Sequence, residues 1–109
     1  MISRKSIQEL LYMTWYNKSE VINMIMMGTD ECPDCIEAKA LLRKAGISYT
    51  YIDILASLGN VKDFIKIRDT HPVYEEIRQG DGSALGIPLL IEGDFYTLDP
   101  EEMIRKLKG

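Results

Sequence analysis

Two of the 109 residues are cysteine and one is histidine. A chain so poor in both cannot be stapled by a disulfide framework. Nor can it build a four-ligand zinc site from thiols and imidazoles alone, so no metal site is expected. Long apolar runs are missing too: none approaches the roughly 18 residues a membrane-spanning helix needs. Arg4 and Lys5 are not followed by the apolar core and small-residue cleavage site of a secretory signal. Basic excess is absent: 13 Lys and Arg stand against 17 Asp and Glu, a net charge of −4, with no local basic cluster. Nucleic acid and anionic membrane are therefore not expected partners. Low-complexity segments and internal repeats are lacking as well. What remains is an ordinary globular composition, 46% apolar and 28% charged, of a length that fills one domain. With no disulfide framework and no secretory signal expected, the cytoplasm is the expected compartment.

Both cysteines fall in one motif, Cys32-Pro33-Asp34-Cys35. The run Val21 to Met27 before it, nearly all apolar, reads as a central strand covered on both faces, and Gly28 and Thr29 end it. After it, Ala38, Leu41, Leu42 and Ala45 recur at helical spacing over Ile36 to Ala45, and Gly46 closes the helix. Pro33 suits a first helical position, where its missing N–H costs nothing. A thiol at a helix start faces free N–H groups and the positive end of the dipole, both of which favour the reactive thiolate. Cys32 is then the attacking sulfur, and Cys35, one turn deeper, the one that resolves a mixed disulfide.

Along the rest of the chain, residues 1–20 read as a helical appendage. Ile7, Leu10, Leu11 and Met13 to Tyr16 form its apolar stripe, and Ser3 or Ser6 its cap. It is expected to pack on its own domain, with a homodimer contact as the alternative, since Tyr12, Trp15 and Tyr16 are interface residue types. Residues 21–109 form the domain. Ser48 to Ile54 alternates, Tyr49 and Tyr51 against Thr50, Ile52 and Ile54, as a second strand. A strand, helix, strand order implies a parallel pair joined by a crossover. A helix capped by Asn60 follows, with Val61, Phe64, Ile65 and Arg68 on one side. Pro72 interrupts it, and Val73, Tyr74 and Ile77 carry a second or kinked helix. His71 reads as a surface loop residue. After the loop Gly80-Asp81-Gly82-Ser83, Ile87 to Ile91 is a strand opening on Pro88. Gly93-Asp94 turns it into a short return strand, Phe95 to Leu98. Asp99-Pro100-Glu101-Glu102 starts a last helix, with Met103, Ile104 and Leu107 buried.

The parallel half, the antiparallel half, the Cys-x-x-Cys between first strand and helix, and Ile87-Pro88 together resemble the thioredoxin fold, and within it the glutaredoxin-like group. The resemblance spans about residues 21–107. It implies an α/β architecture, a mixed four-stranded sheet in the order strand, helix, strand, helix, strand, strand, helix, with residues 1–20 as an extra N-terminal helix. It implies a thiol-disulfide oxidoreductase with Cys32 and Cys35 as catalytic pair. Pro88 is expected to be cis and beside the active site, with Thr29, Pro33, Asp34, Gly86 and Ile87 completing the substrate site. No bound cofactor is implied. Glutathione is expected as reductant or substrate, a flavin-linked reductase as the other recycling partner, and disulfide-containing proteins or small thiols as substrates. An iron–sulfur cluster shared between two chains, known in some of the group, goes with a different motif lacking Pro33.

The chain departs from that group in its acidic flank. Asp30, Glu31 and Asp34 surround Cys32, no basic residue precedes it, and no Gly-Gly pair precedes Asp99. Negative neighbours disfavour a thiolate and repel anionic glutathione. Asp99 is a cap first, and an acceptor for an ammonium group second. Two other functions fit the same pattern: a non-catalytic binding module of this fold, and a redox-sensing regulator related to arsenate reductases.

Overall fold

In a computed structural model, which describes residues 24–109, the order of elements follows from local sequence. β1 (Met24–Gly28) leads into α1 (Pro33–Lys44), β2 (Thr50–Asp53) and α2 (Leu58–Thr70). A 3-10 turn (Pro72–Tyr74) and the short α3 (Glu75–Arg78) follow, then β3 (Leu89–Glu92), β4 (Phe95–Thr97) and α4 (Pro100–Lys108). Among the described residues one sheet forms, in the order β2-β1-β3-β4. β1 pairs parallel with β2, Met26 opposite Tyr51, and antiparallel with β3, Met26 opposite Leu90. β3 returns as β4 through Gly93-Asp94, where Gly93 takes a positive φ of 62°. This is the thioredoxin-type arrangement expected from the sequence. The appendage over residues 1–20, its caps and its dimer contact lie outside the described residues, as do positions 21–23 of the expected first strand.

Each face of the sheet carries its own core, because strand side chains alternate. Met24, Met26 and Leu90 pack with Cys35, Ala38 and Leu42 of α1 and Met103 of α4; Tyr49 and Tyr51 join them. Met27 and Leu89 face the other way, onto Phe64 of α2 and Tyr74, with Ile52, Ile54 and Ile67. The alternation read in residues 49–54 is therefore the division between the two cores. No described helix is long and apolar enough to cross a membrane.

The helix ends show which local signals were sufficient. At the end of α1, Gly46 has φ 74°, its N–H donates to the Arg43 carbonyl, and the Ile47 N–H donates to Leu42. These paired bonds form a Schellman closure, sealed by the packing of Ile47 in one core with Leu42. Asp99 caps α4 by accepting from the Glu101 N–H at 3.0 Å. Glu102 does not complete a capping box; its carboxylate accepts from the Thr97 hydroxyl.

Three expectations change. Ser57, not Asn60, caps α2: its hydroxyl accepts from the Asn60 N–H, while the Asn60 side chain donates to the Asp53 carbonyl. The helix therefore starts earlier. Ile65 is 47% exposed, and Ile67 packs in its stead. His71 is more than a loop residue. Its Nδ1 accepts from the Val73 N–H, capping the 3-10 turn, and its ring stacks on Tyr96 at 3.9 Å between centroids. The interruption at Pro72 is resolved as a 3-10 turn and a separate short helix, because proline leaves no N–H to continue α2.

Candidate functional site: a dithiol at a helix start

β1 ends at Gly28, and the chain reverses over four residues into α1. The Cys32 N–H donates to the Thr29 carbonyl, and the Thr29 hydroxyl accepts from the Glu31 N–H. Cys32 is thereby delivered to the N-cap position of α1. Its carbonyl accepts from the N–H groups of Cys35 and Ile36. Pro33 has no N–H, and the Asp34 N–H has no partner among the described residues. A cap side chain ordinarily accepts such an orphan donor, and here the side chain at the cap is a thiol. The Cys32 sulfur thus occupies the place where a helix start receives an anion.

The two cysteines are unlike in access. Both are free thiols; Cys32 is half-buried and Cys35 is fully buried. Gly28 makes room for the inner sulfur, since a Cβ there would fall 2.6 Å from Cys35 Sγ. Burial pushes the Cys35 thiol from its ordinary value of 9.0 up to about 11. A backbone hydrogen bond from Thr29 works against that rise, while the hydrogen bond to Cys32, the Cys32 charge and Asp34 add to it. Cys35 is therefore a protonated donor to its partner near neutral pH.

The acidic flank is less concentrated than the sequence suggests. Asp30 is paired: Lys39 reaches it at 2.8 Å and the Tyr51 hydroxyl donates to it at 3.2 Å. The Lys39 bond holds the Asp30 carboxyl below the usual range. The Lys39 ammonium also lies 3.7 Å from the Tyr51 ring centroid, so the cluster ties the active-site turn to α1 and β2. Asp34 keeps its solvent-facing position.

Two clefts meet beside the motif. One, of about 390 Å³, is lined by Cys32, Asp34, Ile77, Leu98 and the segment Ser83–Ile87. The other, of about 370 Å³, shares Asp34, Ile87 and Leu98, runs past Pro88, and is rimmed by Glu37, Asp99 and Glu101. The Ile87–Pro88 bond is cis, as expected. Of the residues named from sequence, Cys32, Asp34, Gly86, Ile87 and Pro88 come together here. Pro33 is exposed but lines neither cleft. Thr29 is buried and lines neither; it holds the turn and bonds to Cys35 rather than facing a substrate, because the tight reversal after β1 turns it inward. Ile77 and Leu98 were not legible as wall residues. Their only sequence signal is an apolar side chain beside a loop or a cap.

The glutaredoxin family profile matches residues 10–78, the stretch that contains β1, the dithiol and α2. The chain belongs to the glutaredoxin family. The match begins inside the segment read above as an appendage and stops short of Pro88. A Haemophilus influenzae protein described only as uncharacterized is 33% identical over 67 residues, 62% of this chain and 76% of its own length. The crystal structure of a glutaredoxin from Archaeoglobus fulgidus superposes with a TM-score of 0.58 over 97% of this chain and 98% of that one. At 18% identity that likeness speaks for the fold. Family membership supports a glutaredoxin-like redox function for this chain.

Proposed function

We propose that this family member is a thiol-disulfide oxidoreductase that reduces protein or glutathione mixed disulfides with its Cys-Pro-Asp-Cys dithiol. The observation carrying the reading is the difference between the sulfurs: a reachable one at a helix cap opening onto a cleft, and a buried one behind it. The Cys32 thiolate attacks one sulfur of the substrate disulfide, forming a mixed disulfide and expelling the other sulfur as a thiolate. Cys35 then loses its proton to solvent or to the departing thiolate and attacks Cys32. The second substrate sulfur leaves, and Cys32 and Cys35 are joined as a disulfide. Two electrons have passed to the substrate, and glutathione or a flavin-linked thiol reductase returns them. Pro88 and the Ile87 backbone orient the substrate, which pairs with the chain as an added strand would. With no cysteine outside the one motif, the chain has no structural disulfides to need an oxidising compartment, which suits the cytoplasm.

The wild-type protein should reduce a protein disulfide or glutathione disulfide when supplied with a thiol reductant. Reduction of neither would end this reading.

The second half-reaction should be the pH-sensitive one. In the mixed disulfide Cys32 no longer bonds to Cys35 or places charge beside it, so those two contributions vanish. Burial, the largest, remains. The folded thiol stays hard to ionise, and release should quicken about tenfold per pH unit below its pKa. Asp34→Asn removes a like charge and should move that profile to lower pH. Single-turnover release of a chromophoric thiol would measure both. A profile flat in pH, or shifted upward by Asp34→Asn, would contradict the assignment of Cys35.

A further inference from the structure

Three carboxylates flank Cys32 in sequence, and the fold treats one of them differently. Among the described residues Asp30 is ion-paired, while Glu31 and Asp34 are not. The partner of Asp30 is Lys39, about two turns into α1. Helix side chains lean toward the N-terminus, so the Lys39 ammonium can reach back to the turn that precedes α1. It meets the Asp30 carboxylate there at 2.8 Å.

That reach has a seat. The Lys39 side chain is only 25% exposed, and its ammonium lies 3.7 Å from the centroid of the Tyr51 ring on β2. The Tyr51 hydroxyl donates at 3.2 Å to the same oxygen, Asp30 Oδ1, that Lys39 holds. Partial burial first, and then the Asp30 charge, keep the phenol protonated and able to donate. The ring itself packs on the core that contains Cys35 and Leu42. The turn, α1 and β2 thus converge on one oxygen. An exposed ion pair ordinarily loses in side-chain entropy much of what it gains in attraction. Here the ring orders the Lys39 stem beforehand, so less freedom is left to lose.

The Lys39 bond, the largest influence on Asp30, holds its carboxyl below the usual range, so the group stays ionised where thiols titrate. Unpaired, that lasting charge two residues before Cys32 would act against a thiolate. Paired, its field falls off faster than that of a lone charge. The other titratable groups beside Cys32 are Glu31 and Asp34 of its own segment and Cys35 behind it. The remaining walls of its cleft, Ile77, Leu98 and Ser83–Ile87, carry no charge.

We propose that Lys39, seated on Tyr51, is a positioning residue for the Cys32 sulfur: by closing on Asp30 it cancels a charge in the reactive turn that would otherwise disfavour the thiolate. The inference rests on the oxidoreductase reading and goes beyond it, giving a part in thiol activation to a residue outside the motif. Lys39 lines neither cleft, so it acts through Asp30 and not on the substrate.

The test follows alkylation of Cys32 by iodoacetamide, a neutral reagent that consumes thiolate, in the full chain from about pH 5 to about pH 9. Mass spectrometry locates the label. Lys39→Met keeps the stem and removes the charge. It should slow alkylation about threefold on the acidic side, the scale of an exposed charge pair in water. At alkaline pH, where the thiol is fully ionised, it should converge with the wild type. Lys39→Arg should keep the wild-type rate. Adding Asp30→Asn to Lys39→Met should restore the rate, because the charge that Lys39 cancels is then gone. Salt at about 1 M should shrink the Lys39→Met deficit by screening. A mere brace for the turn would leave Lys39→Met and the double variant equally slow at every pH. That outcome, or an unchanged rate in Lys39→Met, overturns this inference alone. A wild-type Cys32 that iodoacetamide does not alkylate overturns the function proposed above, and the inference falls with it.

Discussion

Cys32→Ser should abolish the proposed disulfide reduction while leaving the protein at least as stable as before. The loss is expected to be roughly 10³-fold or more, the scale on which removing a covalent nucleophile acts. Stability is retained because position 32 is the N-cap of α1 and makes no side-chain capping bond as cysteine. Serine is among the best caps, and a new bond to a free N–H would contribute about 0.5–1 kcal/mol. Cys35→Ser should behave differently. It keeps the outer sulfur and its access to the cleft, so the first attack proceeds and a mixed disulfide accumulates at Cys32. A protein-disulfide assay, thermal melts and intact-protein mass spectrometry read the three outcomes. An adduct at Cys35, or substantial activity in Cys32→Ser, would reverse the assigned roles.

Gly86→Ala should produce the largest loss of stability of any single methyl added to a glycine in this fold. At φ 94° an L side chain is strained, and the new Cβ would lie 2.3 Å from Tyr74 Cε1. The ring cannot give way. Tyr74 is fully buried, meets Phe64 edge to face with centroids 6.0 Å apart, and is tied through its hydroxyl to Gly86 itself. Backbone strain of about 1–2 kcal/mol and overpacking of about 1–3 kcal/mol together make roughly 2–5 kcal/mol. For a domain of this size that lowers Tm by about 10–25 °C. Gly82 provides the control. Its φ is 85° with nothing within 4 Å of a Cβ, so Gly82→Ala should cost the strain alone. Chemical denaturation of the two variants separates strain from collision. Equal losses would show that Tyr74 does not fix the segment beside the dithiol.

That contrast also marks where the sequence stops being legible. The start of α1 is written in adjacent residues, a thiol at the cap followed by proline. Its end is written in Gly46, and the division of Tyr49 and Tyr51 from Ile52 and Ile54 in an alternation any strand must obey. The cap of α2 misled because Ser57 and Asn60 are both good caps three residues apart. Only the Asp53 carbonyl, which takes the Asn60 side chain, separates them. Separately, the expected buried side took Ile65, whereas Ile67, three residues after Phe64, packs there. His71 offered no local signal, because its partner Tyr96 lies on a strand reached only after the chain has folded back. Asp30 likewise counted as free charge until Tyr51, on β2, and Lys39 met it.

By itself the sequence determined the fold class, the order of its elements and the position of the dithiol at a helix start. The order of elements and the dithiol's place rest on periodicity and on end signals a few residues long, and the fold class on the resemblance those features carry together. The tertiary structure decided which acidic groups are neutralised and how residues 83–87 come to stand beside Cys32. Those depend on hydrogen bonds and contacts between residues distant in the chain, such as Arg68 with Leu85 and Tyr74 with Gly86, and such pairs leave no periodic trace.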